Sequence, residues 1–157
     1  MKALSIRQPW AWAILHAGKD VENRSWRPNG ANMRAARTLQ NDHILLHAAR
    51  GMTRTEHEAF CDTYAEIRAR TSVHLPSTPT FDELKTVRGG IVARARLVGI
   101  VIDSMRPQDY TTRLELARAR ESLWYFGPVG LVLGEVKPLP FTPCQGALGF
   151  FDVPGHG

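Results

Sequence analysis

The sequence predicts an α+β fold, a small barrel of five or six strands accompanied by two or three helices, and three observations carry that prediction. Short apolar runs recur along the chain between Gly and Pro breaks. Thr53-Arg54-Thr55-Glu56 has the capping-box form and is followed by Phe60, Tyr64 and Ile67 at helical spacing, which predicts a helix over residues 54–70. The run Gly90 to Val101 alternates apolar and polar residues and then turns wholly apolar, as a barrel strand passing from edge to core does. With 157 residues, 43% of them hydrophobic, one compact domain is expected over residues 1–157, without repeats or low-complexity tracts.

Taken in order, Ala3 to Ile6 is a strand. Pro9 suits the first turn of a helix bearing Trp10, Ile14 and Leu15, and Gly18 stops it, so Lys19 falls just beyond a short helix. Val21 to Trp26 runs extended, Arg27-Pro28-Asn29-Gly30 is turn chemistry, and Ala31 to Asn41 is expected to be a basic, poorly patterned loop. Ile44 to Ala48 is a buried strand, where the even spacing of His43, Leu45 and His47 puts three side chains on one face. After the 54–70 helix, Thr71 to Thr80 is a loop carrying Pro76 and Pro79. In the long strand from Gly90, Arg94 and Arg96 share a face with Val92. Leu114 to Ala119 makes a helical turn or two, and Val129 to Val136 and Ala147 to Val153 complete the strands.

Charge is unevenly placed. The net charge is +5, yet residues 1–54 hold nine Lys and Arg against three Asp and Glu, while residues 55–157 hold eleven against twelve. Sixteen of the twenty cations are arginine, whose planar fork matches phosphate better than an ammonium does. A polyanionic partner is therefore expected, although a GC-rich genome also raises arginine throughout a proteome. The apolar runs are too short to span a bilayer, and Arg7 follows the N-terminus too soon for a signal peptide. A cytoplasmic location is expected. Cys61 and Cys144 lie far apart with no C-x-x-C pair and are expected to be small apolar residues rather than a disulfide. No third ligand has telling spacing beside His43 and His47 or beside His57 and Cys61, so no metal or cofactor is expected.

The densest chemistry lies in Gly18-Lys19-Asp20-Val21-Glu22-Asn23-Arg24-Ser25-Trp26-Arg27, downstream of Leu4-Ser5-Ile6-Arg7-Gln8-Pro9-Trp10-Ala11. These two stretches resemble the signature of the ASCH domain, the activating-signal-cointegrator homology domain of the PUA-like superfamily. Leu46-His47-Ala48-Ala49, Gly90-Ile91-Val92-Ala93, the run from Trp124 to Gly130 and the run from Gly146 to Phe151 recur in the same order in that family. The family's G-x-K-x-x-E-x-R pattern departs here only in that Gly18 directly precedes Lys19. The resemblance implies a PUA-like barrel with flanking helices beside a cleft that takes RNA or nucleotide-like ligands. It also implies a range of roles, since the wider family includes an amidohydrolase acting on N4-acetylcytidine, a single-strand ribonuclease and simple binding modules. In the hydrolase group a threonine nucleophile stands three residues after the lysine, whereas Glu22 stands there in this chain.

The expected site is a basic cleft lined by Gln8, Lys19, Glu22, Arg24 and His47. Lys19 offers a phosphate contact, or a base if desolvated beside Arg24; a solvated lysine after a helix is the plain alternative. Glu22 and Arg24, two apart on an extended segment, suit a bidentate pair on the cleft wall, and a structural salt bridge is the alternative. Asp20 is expected on the surface. Trp10, Trp26 and Trp124 offer stacking surfaces for unpaired bases, with Trp26 the best candidate for exposure and Trp12 the one for the core. Gln8 and Ser122 can read a base edge, and Arg7 and Arg50 complete the rim. The function expected is binding of nucleic acid, RNA rather than DNA and single-stranded or modified RNA above all, with a free nucleoside also a possible ligand and no membrane contact. Two further readings stand beside it. One is a metal-independent hydrolase of N4-acylated cytidine or of RNA, with Lys19, Glu22 and His47 as catalytic groups, a strand histidine satisfied by a neighbouring backbone group being the plain alternative for His47; the other is a protein-interaction module.

Overall fold

The computed structural model describes residues 1–155; the last two positions of the expected domain lie outside the described residues. Among these there are six strands, β1 (Lys2–Ile6), β2 (Val21–Arg24), β3 (His43–Ala48), β4 (Gly90–Ile102), β5 (Val129–Pro143) and β6 (Phe150–Asp152). Five helices accompany them, α1 (Trp10–His16), α2 (Ala31–Thr38), α3 (Arg54–Arg70), α4 (Phe81–Leu84) and α5 (Leu114–Arg120). The strands form one sheet in the order β2-β5-β4-β3-β1-β6. The class is α+β, and the sheet is consistent with the PUA-like small barrel that the resemblance implies.

The chain groups into two compact units. The first takes Met1–Lys19, Leu45–Ala93 and the chain from Lys137 on; the second takes Asp20–Ile44 and Arg94–Val136.

In the first unit β1 runs parallel to β3, with Ala3 opposite Leu45 and Ser5 opposite His47, and antiparallel to β6. One face of these strands places Ala3 and Leu45 in a buried cluster with Ile91 and Val153, against which Leu139, Cys144 and Phe151 pack. Helix α3 forms because Thr53 accepts the Glu56 amide N–H at 3.1 Å. It buries Phe60, Tyr64 and Ile67 at the expected spacing. Phe60 meets the Trp10 ring edge-on at 4.9 Å, Trp12 at 6.2 Å and Tyr64 at 5.4 Å, so four aromatic side chains join α1 to α3. Gly18 ends α1 with a φ of +73°, a conformation glycine adopts without strain. That turn brings the Lys19 amide back to the Ala13 carbonyl at 3.1 Å.

In the second unit β2 pairs antiparallel with β5, Val21 opposite Val132 and Arg24 opposite Val129. Its core gathers Val21, Val98, Val101, Leu116, Ala119 and Val132.

Four expectations need correction. Residues 31–38 form helix α2 rather than a loop, because Met33 and Ala36, three apart, supply a narrow apolar face that is fully buried, and alanine-rich sequence costs little to wind. Helix α4 stands where no element is expected, and with α2 it raises the helices among the described residues to five against the two or three expected; Thr80 and Glu83 cap it reciprocally. Strand β5 continues to Pro143 instead of ending near Val136. Glu135 takes a left-handed φ of 50°, and Pro138 and Pro140, two apart, face one strand edge, which is tolerable only where no N–H is needed. The last strand is shorter than expected, Phe150–Asp152.

Candidate nucleic-acid interface

The first unit holds an open cavity of about 690 Å³, lined by Ser5, His47, Ala49, Arg50, Gln145, Gly146, Ala147 and Leu148. Its floor is set by the β1·β3 register. Ser5 and His47 face each other across the parallel pair, and the Ser5 Oγ lies 2.9 Å from His47 Nδ1. The other ring nitrogen, Nε2, lies 3.0 Å from the Cys144 carbonyl oxygen. A carbonyl only accepts, so Nε2 carries the proton, Nδ1 accepts, and the Ser5 hydroxyl donates to it. Phe151 meets the ring edge-on at 5.6 Å.

His47 is 2% exposed. Burial, helped by the positive charge of Arg50, holds its pKa below the ordinary 6.5 against the opposing pull of the Cys144 carbonyl. The unfolded chain therefore binds a proton near 6.5 that the folded chain refuses, and stability is lost as pH falls below that value. Thermal unfolding at about pH 7.5 and about pH 5.5 is expected to show a larger drop in Tm for the native protein than for His47→Gln.

Above this floor runs the segment Gln145 to Gly149. A Cβ added at Gly146 would stand 2.5 Å from His47 Cε1 and 2.7 Å from Ser5 Oγ, so only glycine lets the backbone lie this close to the pair. Leu148, two residues on, is 99% exposed.

The other expected residues of this unit divide by partner. Gln8 is 3% exposed; its amide donates to the Val87 carbonyl at 3.0 Å and accepts the Trp12 N–H at 2.9 Å. The side chain thus clamps α1, and little of it is left to read a base edge. Lys19 is buried, 2% exposed, with Nζ 5.8 Å from the centre of the half-buried Trp10 ring, so the plain alternative of a solvated lysine does not hold. Arg7 reaches Glu56 with two bonds of 2.6 Å, and this fork draws the Glu56 carboxyl below its usual range. An exposed pair of this kind contributes little to stability, but it offsets the charge Arg7 was to lend the rim. Arg50 is exposed and lines the cavity.

In the second unit Glu22 is buried and pairs with Arg24 at 3.2 Å, as the two-residue spacing suggested. Arg24 also lies 5.4 Å from the centre of the Trp26 ring, a cation–π arrangement that leaves Trp26 half-buried. Asp20 is not a plain surface residue, since its carboxylate accepts the Ser122 hydroxyl at 2.6 Å. Ser122 Oγ in turn accepts the Trp124 N–H at 3.1 Å, so that hydroxyl serves the loop rather than a base edge. Trp124 is 5% exposed, a packing ring and not an open platform. His43 is exposed and meets Glu135 at 3.0 Å. Arg96 bridges Glu115 and Glu135 at 3.3 and 3.2 Å.

Among the described residues no three His, Cys, Asp or Glu side chains gather as a metal site, and both cysteines are free thiols. No helix among them is long and apolar enough to cross a membrane.

The family profile described as the ASCH domain matches residues 4–125. The chain belongs to the ASCH domain family. No curated protein matches it significantly. Membership points to a PUA-like RNA-binding domain of generally nucleic-acid-related function. The ASCH match ends at Tyr125, so Gln145 to Leu148, which wall the cavity, lie beyond it. Of the expected ASCH site residues, His47 and Arg50 line that cavity. Sequence reasoning missed Ser5 and Asn23. Ser5 was visible as the one hydroxyl in the otherwise apolar run from Ala3 to Ile6. Asn23 sits between Glu22 and Arg24 and bonds the backbone of three loop residues, donating to the Trp124 carbonyl at 2.8 Å and accepting the N–H groups of Phe126 and Gly127 at 2.8 and 3.2 Å.

Proposed function

We propose that this ASCH domain binds nucleic acid, with a preference for single-stranded or modified RNA over DNA, and that an unpaired base enters the cavity of the first unit while Arg50 meets the adjoining phosphate. The observation that carries this reading is the cavity itself: an open space of about 690 Å³ with a hydrogen-bonding floor and an arginine at its wall. It falls in the range of small-molecule sites, roughly 300–1,000 Å³, and leaves room for a substituent on the base. The net charge of +5 supports attraction of a polyanion. Arg24 stacked on Trp26 supplies the second unit with a cation and a ring, the pairing that single-stranded nucleic acid uses.

Fluorescence anisotropy with labelled single-stranded RNA, across a salt series, tests the reading. Affinity is expected to fall steeply with salt, and Arg50→Ala to weaken binding and reduce the log–log slope by about 0.7 for the lost phosphate contact. An absence of binding at low salt would overturn the proposal. Affinity indifferent to salt would favour a protein-interaction module instead, and tighter binding of duplex would correct the single-strand preference.

A further inference from the structure

The cavity floor carries more chemistry than recognition of a base requires. Ser5 and His47 stand opposite each other in the β1·β3 register, the hydroxyl donates to Nδ1 across 2.9 Å, and the opposite nitrogen is anchored on the Cys144 carbonyl at 3.0 Å. This is a nucleophile, a base and an orienting group in sequence, each within hydrogen-bond reach of the next. The orienter fixes the tautomer, which leaves the Nδ1 lone pair directed at the hydroxyl. Both side chains line the open cavity, so a ligand can reach the oxygen.

We propose that Ser5 is an acyl-accepting nucleophile with His47 as its general base, in a site that hydrolyses small carboxylic esters bearing an anionic group. Ser5 Oγ adds to the ester carbonyl as its proton passes to Nδ1. The tetrahedral adduct collapses by breaking the carbonyl C–O bond, the leaving alkoxide takes the proton from Nδ1, and Ser5 is left as an acyl ester. Water then adds to that ester and gives a proton to Nδ1. Collapse expels Ser5 Oγ, which recovers the proton, and the carboxylic acid departs; water is the sole co-reactant.

Esters are favoured over amides by the identity of the orienting group. A neutral carbonyl behind Nε2 stabilises the imidazolium less than a carboxylate does, so the site suits an alkoxide that leaves readily rather than an amine. Arg50 on the cavity wall selects the anionic group. Burial and Arg50 keep His47 below its ordinary 6.5, hence unprotonated and competent as a base at neutral pH. Gly146 is required here, since any side chain would strike both members of the pair.

The test uses p-nitrophenyl hexanoate and the monoester p-nitrophenyl adipate, whose carboxylate is too distant to close a five-membered anhydride, on the whole chain. A burst of p-nitrophenol equal to the protein present is expected, with the acyl group mapped to Ser5 by peptide mass spectrometry. Ser5→Ala is expected to slow release about 100-fold or more, while Ser5→Cys, which keeps a nucleophile, retains acylation as a thioester. The adipoyl ester is expected to react faster than the hexanoyl ester of matched chain length, a preference that Arg50→Ala removes. Acyl groups found only on lysines, or equal rates in the native protein and Ser5→Ala, would overturn the nucleophile; equal rates for the two esters would overturn the anionic selection. No nucleic acid enters the assay, so its failure and the failure of RNA binding are read separately.

Discussion

Phe60→Ala is expected to destabilise the protein by about 3–5 kcal/mol, the range for emptying a buried aromatic position. Phe60 is fully buried and is the ring on which Trp10, Trp12 and Tyr64 converge. Its loss removes the transfer energy of the ring, the edge-to-face attractions and the contact that holds α1 against α3. Collapse cannot refill the space cheaply, because the Tyr64 ring is held by the bond from its hydroxyl to the Pro76 carbonyl and the α1 backbone by the bond from the Trp12 N–H to Gln8. Urea denaturation measures the loss, and tryptophan emission is expected to shift to the red as two indoles gain water. Phe60→Leu, which refills much of the volume, should lose less. A loss under about 1 kcal/mol for the alanine variant would show that α1 and α3 do not depend on this ring.

Asn23→Ala is expected to cost about 2–4 kcal/mol, since three hydrogen bonds at about 0.5–1.5 kcal/mol each disappear together. The effect is expected to be local as well as global. Trp124, Phe126 and Gly127 lose their shared anchor, and hydrogen exchange at the Phe126 and Gly127 amides should quicken while that of α3 changes only in step with global stability. The neighbouring bond from the Tyr125 hydroxyl to Asp103, 2.6 Å long, shares the same loop. Burial, with Asp103 next, pushes the Tyr125 pKa up to about 12. If the loop opens in the variant, that phenol returns toward its ordinary 10, which an ultraviolet titration detects.

What the sequence made legible follows from range. Helix α3 was readable to the residue because its cap and its buried face are local, Thr53 to Glu56 and then Phe60, Tyr64 and Ile67. The Glu22–Arg24 pair was readable for the same reason, two residues on an extended segment. Helix α2 was hidden because its buried face consists of only two residues, Met33 and Ala36, set among arginines. The extension of β5 was hidden by Pro138 and Pro140, which signal a break unless it is known which strand edge they face. Ser5 and His47 are joined by the register of a parallel pair, and register between distant strands is fixed by the packed sheet rather than by either segment alone. Gln8 and Ser122, expected to read a base edge, and Asp20, expected on the surface, are held by backbone groups and by each other.

The ends of the sheet bear on how copies of this chain meet. The strand order terminates on β2, four residues long, and β6, three residues long. Edges that short offer another chain too few backbone groups for a stable ladder. Where β5 runs on past its pairing with Arg24 to Val21, Pro138 and Pro140 delete donors from the strand. Strand-to-strand aggregation between molecules is thereby discouraged at these edges, and among the described residues the exposed Val73, Leu114, Phe126, Phe141 and Leu148 are apolar side chains at which one copy could adhere to another.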